Sequence, residues 1–208
     1  MIKFVGIALA ASFLGASALG SPPMLFGSDG EALERTRQAL RDNASPLADV
    51  IRTQVRQADA HLELKPLAVT DKQHTPPSGD KHDYASLSPY WWPDPTKPQG
   101  VPYIRRDGEF NPERANFDLE PMDRMTRAVE QLGLAYFFTS DERYAAKAAE
   151  MVRVWFLNPD TRMNPNLKYA QFVPGYDEPR PSGIIEGTRF RRVIDGISMI
   201  EGSPHWSD

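Results

Sequence analysis

One stretch decides the fold: MDRMTRAVEQLGLAYFFTSDERYAAKAAEMVRVWFL, residues 122–157. Apolar residues recur every three or four positions on both sides of Ser140, which is the spacing of helices with one buried face. Two helices, 122–139 and 141–157, are therefore predicted, with Ser140 as the N-cap of the second. Because Thr139 and Ser140 leave almost no loop, the two helices are expected to form an antiparallel hairpin.

The same helical spacing occurs in three further segments, 31–43, 46–63 and 183–201. Between them lie two long segments, 65–121 and 158–182, which are rich in proline and show no sustained period. A loop of this length inside a domain is usually functional or disordered, and its many aromatic residues argue against disorder. The predicted fold class is mainly α, with helical hairpins joined by long loops rich in proline and aromatic residues.

The composition excludes several classes of function. The chain has 208 residues, no cysteine and a net charge of −4, so we expect one globular domain without thiol catalysis or zinc–thiolate sites. No basic block is present, which argues against nucleic acid as a partner. No metal site is predicted, because no metal-ligand spacing occurs among the four histidines, His61, His74, His82 and His205.

The first twenty residues are typical of a secretory signal peptide. Lys3 precedes an apolar run, 4–14, and small residues with cleavage-site spacing follow it. We therefore expect a signal peptide over 1–20 and a periplasmic or secreted protein. The apolar run is too short for a membrane span, so no membrane association is expected after cleavage.

The proline-framed motif HDYASLSPYWWPDP, residues 82–95, and the basic residues after it are suited to binding a sugar acid. The apolar face of a sugar packs on an aromatic plane, and a guanidinium binds a carboxylate with two hydrogen bonds. The alternative is that the two tryptophans pack onto the helices as a small separate core. The candidate binding residues in this region are Tyr84, Tyr90, Trp91, Trp92 and Arg105.

Two later motifs carry polar residues. MNPNLKYAQFVPG, 163–175, holds Asn166, Tyr169 and Gln171, whose side chains can hydrogen-bond a carboxylate, although Asn-Pro is also a common turn initiator. In GIIEGTRF, 183–190, Glu186 and Arg189 are three residues apart, and this spacing favours a surface ion pair.

Taken together and in this order, these motifs and PYIRRDGEFNPE, 102–113, resemble the alginate-lyase-like superfamily of polysaccharide lyases, closest to its alginate- and glucuronan-cleaving branch. The resemblance runs from about residue 32 to the end. It implies an incomplete (α/α) toroid that cleaves a uronic acid polymer by β-elimination and needs no cofactor. It also implies that the candidate residues of 82–95 and 163–175 line a cleft for an anionic polysaccharide.

The sequence departs from the family in one respect. The family's catalytic Asn-Asn-His string, which lies in its C-terminal half, does not occur here. The segment 32–208 is therefore expected to be the N-terminal part of the toroid domain. The chain is then either a truncated gene product or fragment, which would be inactive, or half of a split protein that takes the C-terminal half of the fold from elsewhere. His82 and Tyr84 are the only candidates for proton transfer. Two alternatives stay open: a non-catalytic uronate-polysaccharide binding protein, and a helical remnant that serves interaction only.

Overall fold

The structure, a computed structural model, describes residues 22–207. Its helices confirm the prediction of a mainly α fold, and the predicted signal peptide lies outside the described residues. Within the described part, no helix is long and apolar enough to cross a membrane. The α-helices are α1 (Gly30–Arg41), α2 (Ala48–Leu62), α3 (Leu119–Thr139), α4 (Glu142–Val152) and α5 (Phe190–Ile200).

The hairpin of α3 and α4 forms as predicted, but its junction differs in one detail. Ser140 has a φ of 56° and ends α3 in the left-handed conformation. The N-cap of α4 is Asp141, whose carboxylate accepts the N–H of Arg143 at 3.0 Å. The prediction of Ser140 as the N-cap is therefore wrong by one residue, because the chain needs Ser140 for the sharp reversal between the helices.

Helix α3 is the centre of the molecule and packs against α2, α4 and α5. The apolar stripe predicted for it faces this core: Tyr136 is half-buried, and the other four residues are buried, namely Met122, Met125, Val129 and Leu132. Trp155, in the π-helical turn Arg153–Leu157 that continues α4, has no exposed surface. Burial of apolar side chains such as these is the dominant driving force for folding.

The last predicted helix, 183–201, is α-helical only in its second part. Pro181–Arg189 instead forms a 3₁₀ segment, and α5 begins at Phe190. Gly183 and Gly187 lower the helix propensity of the first part. The side chain of Glu186, which lies between the two glycines, faces the loops and hydrogen-bonds Tyr84 and Ser86.

Four short strands lie within the two predicted loop regions: β1 (Ala85–Leu87), β2 (Trp91–Trp92), β3 (Ile104–Arg105) and β4 (Tyr169–Phe172). β1 pairs with β4 in parallel, with one extra residue in β4, and β2 pairs with β3 in antiparallel. We call residues 82–110 and 163–180, which contain these strands, the loop platform. The loops are thus ordered and joined to each other across about 80 residues of sequence.

Replacing Gly133 by alanine is expected to destabilise the fold. A Cβ on Gly133 of α3 would lie 2.7 Å from the carbonyl oxygen of Gly196 in α5, so the two helices cross at backbone contact. We expect a loss of about 1–3 kcal/mol from overpacking, which exceeds the gain of up to about 1 kcal/mol in helix propensity. Chemical denaturation of Gly133→Ala measures it.

The control for this experiment is Gly202→Ala, because a Cβ at Gly202 meets nothing within 4 Å. Its unfolding midpoint should stay near that of the wild type. Equal stability of Gly133→Ala and the wild type would show that α3 and α5 do not cross this closely.

Candidate functional site

Strand β1 is attached to the helical core by a buried ion pair. Asp118, which immediately precedes α3, accepts the backbone N–H of Ala85 at 2.8 Å, and the Lys72 ammonium lies 3.1 Å from the same carboxylate oxygen. Burial raises the pKa of Asp118 to about 6 and lowers the pKa of Lys72. The ammonium also donates to the carbonyl of Lys81 at 2.5 Å, so the pair ties the start of the loop platform to α3.

A second buried carboxylate lies against the same strand. Glu186 is 2% exposed and accepts hydrogen bonds from the Tyr84 hydroxyl at 2.6 Å and the Ser86 hydroxyl at 2.7 Å. The predicted surface ion pair between Glu186 and Arg189 is therefore wrong. Arg189 instead pairs with Asp123 of α3 at 3.1 Å, because Glu186 turns inward.

Tyr84 lies in the core and not on a cleft wall. Its side chain has no exposed surface, and its hydroxyl donates to Glu186. Burial and then the neighbouring carboxylate raise the pKa of Tyr84 well above its usual range, so the phenol stays protonated near neutral pH. In this structure Tyr84 neither reaches a polymer nor offers a phenolate base.

Strand β4 carries two of the predicted binding residues. Tyr169 is half-buried beside β1, and the Lys168 ammonium lies 5.3 Å from the centre of its ring. Gln171 has a φ of 51°, which is unusual for a residue with a side chain. Its N–H donates to the Ser86 hydroxyl at 2.7 Å, so Gln171 is connected to Glu186 through Ser86.

Tyr90 and the two tryptophans of β2 make aromatic contacts or hydrogen bonds within the loop platform. Tyr90 stacks on Phe110 with ring centres 5.1 Å apart, and Trp91 meets Tyr176 edge-on at 5.4 Å. The indole N–H of Trp92 donates to the carbonyl of Glu109 at 3.0 Å. These three residues are half-buried, so they pack within the loop platform and keep part of their surface exposed.

The cations of the platform fall into two groups. Arg105, which was predicted to meet a carboxylate, is exposed and pairs with Asp107 at 2.7 Å. Arg180 lies 5.5 Å from the ring centre of Trp91. Neither Arg180 nor Lys168 takes part in an ion pair among residues 22–207. The sequence analysis missed Arg180 and Tyr176, because only the pairing of the two loops brings them to Trp91.

His82 and Asn166 are connected through Asp83, the residue next to His82. His82 Nδ1 is 2.7 Å from the carbonyl oxygen of Arg162, and because a carbonyl only accepts, Nδ1 carries the proton. Nε2 of the neutral ring is then free to accept a proton. Asp83 next to it accepts hydrogen bonds from Asn164 at 2.9 Å and Asn166 at 3.1 Å.

Two cavities open along the platform. One, of about 270 Å³, is lined by Tyr169, Phe172 and Tyr176 together with the charged residues Lys168, Asp177 and Glu178. The other, of about 760 Å³, has mainly apolar walls, and its polar lining consists of Arg180 and Asn166. No group of three or more histidine, aspartate or glutamate side chains in residues 22–207 is arranged to hold a metal ion.

The structure thus brings most of the predicted binding residues to one platform. Trp91, Trp92 and Arg105 share the β2–β3 pair, and the N–H of Tyr103 donates to the carbonyl of Pro174 at 3.0 Å, which joins this pair to the loop after β4. Tyr84 is the exception, since its side chain is buried against Glu186 and does not reach the surface of the platform.

The family model described as alginate lyase matches residues 68–208, which include the whole platform. The chain belongs to the alginate lyase family. The resemblance noted in the sequence is therefore confirmed.

One solved structure extends the comparison. The crystal structure of an alginate lyase from Bacteroides ovatus is 44% identical to this chain and superimposes with a TM-score of 0.78. The match covers 85% of this chain and 47% of that enzyme, so the chain spans about half the length of this family member. No curated protein was found to match the chain.

Asp83→Asn is expected to weaken the platform in a pH-dependent way. Burial alone acts to raise the pKa of Asp83, but hydrogen bonds from Asn164, Ser78 and Asn166 outweigh it and hold the pKa below its usual range. Because the folded pKa lies below the unfolded value of 3.8, this stabilisation is complete above that value and is lost as pH falls through the folded pKa.

We expect Asp83→Asn to be about 1 kcal/mol less stable than the wild type at pH 7, because charge-assisted hydrogen bonds become neutral ones. The difference should shrink below pH 4, and chemical denaturation across pH 3–7 measures it. Asp177→Asn, which changes an exposed carboxylate of the same platform, is the control. A difference that does not vary with pH would contradict the assignment of the effect to the charge of Asp83.

Proposed function

We propose that this protein is a polysaccharide lyase-type protein that binds a uronic acid polymer, alginate or glucuronan, and cleaves it by β-elimination. The observation that carries the proposal is the stacking of Arg180 on Trp91 with no carboxylate partner among the described residues. An aromatic plane beside an unpaired guanidinium fits a ring that carries a carboxylate. Membership of the alginate lyase family supports the same class of substrate.

The sugar carboxylate is proposed to bind at Arg180 and Asn166, on the rim of the larger cavity. The smaller cavity is less suitable, because Asp177 and Glu178 offset the charge of Lys168 there. A guanidinium and an amide at the carboxylate would stabilise the negative charge that develops when the neighbouring C5 proton leaves. Trp91 would support the apolar face of the same sugar or of the next one.

Proton transfer is the less complete part of this site. β-Elimination needs a base for the C5 proton and an acid for the leaving O4. Nε2 of His82 is the candidate base, since the bond of Nδ1 to Arg162 leaves it free to accept. Tyr84 is proposed to have a structural role instead. We further propose that the C-terminal half of the toroid, from elsewhere, supplies the remaining catalytic groups, and that the protein acts in the periplasm or outside the cell.

Binding without cleavage is the second candidate function. It is favoured by the same aromatic and cationic residues, because they suffice to hold a uronate without a complete proton-transfer set. The third class, an interaction surface, is favoured by Ile184 and Ile185, which are 76% and 63% exposed beside the larger cavity. Exposed apolar residues of this kind often mark protein contacts.

The test combines turnover and binding on the purified protein. Alginate and glucuronan oligomers are added separately, and ultraviolet absorbance follows the unsaturated uronate that elimination creates. Calorimetry measures binding. We expect Trp91→Ala to weaken binding about tenfold, because it removes about 1.4 kcal/mol of stacking. If the chain cleaves, His82→Ala should lower turnover by about 100-fold or more.

Trp206→Ala is the matched control, because Trp206 also lies beside an arginine, Arg153 at 5.6 Å, but outside the platform. Its affinity for oligomers should equal that of the wild type. Binding without absorbance change would favour the binding protein. If the protein binds no uronate, both the lyase and the binding-protein proposals are ruled out. A molecular mass that rises with protein concentration in light scattering, and that no longer does so in Ile184→Glu, would then favour the interaction surface.

A further inference from the structure

The feature that the proposed site leaves unexplained is the buried carboxylate of Glu186. It takes part in no ion pair among residues 22–207, although a buried carboxylate without a cation is costly. Both hydrogen bonds found for it come from hydroxyls, those of Tyr84 and Ser86, about 100 residues earlier in the chain. Such a costly group is retained where it orients other groups.

The hydroxyl of Ser86 relays this orientation to β4. Because Ser86 donates its single hydrogen to Glu186, its lone pairs are directed away from the carboxylate. The N–H of Gln171 donates to one of them at 2.7 Å. Gln171 has a φ of 51°, a conformation that a residue with a Cβ keeps only when its surroundings hold it.

We propose that Glu186 is a positioning residue of the sugar-binding site. By orienting the Ser86 hydroxyl it holds Gln171 in the left-handed conformation. This conformation sets the course of β4 and the positions of Gln171 and of Tyr169, which lines the smaller cavity of the platform. Glu186 itself touches no substrate. The inference rests on the proposed function for its sugar-binding part, whereas the link from Glu186 to Gln171 stands on the hydrogen bonds alone.

A carboxylate holds the two hydroxyls more strongly than a neutral amide can. Both hydroxyls donate to the same oxygen, Oε2 of Glu186. A glutamine has one accepting oxygen and one donating nitrogen in almost the same shape. If its nitrogen faces Ser86, the Ser86 hydroxyl must accept from both Gln171 and the new amide, and its own hydrogen loses its partner. If its oxygen instead takes the place of Oε2, it accepts both hydroxyls, but only with the weaker hydrogen bonds of a neutral acceptor. Glu186→Gln therefore weakens the relay in either orientation, with little change in volume.

The first experiment measures hydrogen exchange of the Gln171 amide by nuclear magnetic resonance. We expect this amide to exchange about tenfold faster or more in Glu186→Gln than in the wild type. Ser86→Ala should give the same response, because it removes the acceptor of the Gln171 N–H and leaves the bond between Tyr84 and Glu186 intact. An unchanged Gln171 amide in both variants would overturn the proposal.

The chain offers a matched control in Glu142. Its carboxylate also accepts from a serine and a tyrosine, Ser203 at 2.6 Å and Tyr136 at 3.4 Å, but at the end of the α3–α4 hairpin. Glu142→Gln should leave the exchange of Gln171 unchanged. If it accelerates Gln171 as much as Glu186→Gln does, the effect is a general loss of stability and the proposal fails.

The second experiment measures affinity for oligouronates by calorimetry. We expect Glu186→Gln to weaken binding by about three- to tenfold, and Glu142→Gln to leave it unchanged. Faster exchange at Gln171 with unchanged affinity would overturn the role in sugar binding. If the wild type binds no oligouronate, the proposed function and the sugar-binding role fail together, and the exchange data still decide whether Glu186 controls Gln171.

Discussion

The attachment of β1 to two buried carboxylates is the constraint on which the rest of the platform depends. Asp118 accepts the N–H of Ala85 from the side of α3, and Glu186 accepts the hydroxyls of the residues on either side of Ala85. A three-residue strand with a single four-residue partner has little stability of its own. The helical core therefore holds the loops through hydrogen bonds to charged groups, which are among the strongest that a protein makes.

This attachment separates structural groups from groups available for chemistry. Tyr84 and Glu186 are buried and hydrogen-bond each other. Burial and this hydrogen bond keep the Tyr84 phenol protonated. At the surface of the platform, Arg180 and Trp91 are only half-buried, and Nε2 of His82 has no hydrogen-bond partner among the described residues. Burial is what decides between the two roles, since residues of both kinds come from the same motif, 82–95.

The helices contribute rigidity rather than chemistry. The backbones of α3 and α5 are in contact at Gly133 and Gly196. The 3₁₀ segment that leads into α5 holds Glu186, whose carboxylate faces β1. The Arg189–Asp123 and Arg192–Asp123 pairs join the same elements at the surface. Asp118 directly precedes α3, and Glu186 lies in the segment that leads into α5. A change in how the two helices cross would therefore also move the carboxylates that hold β1.

The sequence by itself determined the helices and the family, and it predicted candidate sugar-binding residues. Helical spacing is local, so the α3–α4 hairpin was predicted to within a few residues. The sequence did not reveal that Glu186 faces β1 and not Arg189, that Tyr84 is buried, or that Arg180 reaches Trp91. These contacts join residues that are about 90 to 100 positions apart. Only the tertiary structure decides them, because a spacing of three residues on a helix carries no information about which long loop will cover it.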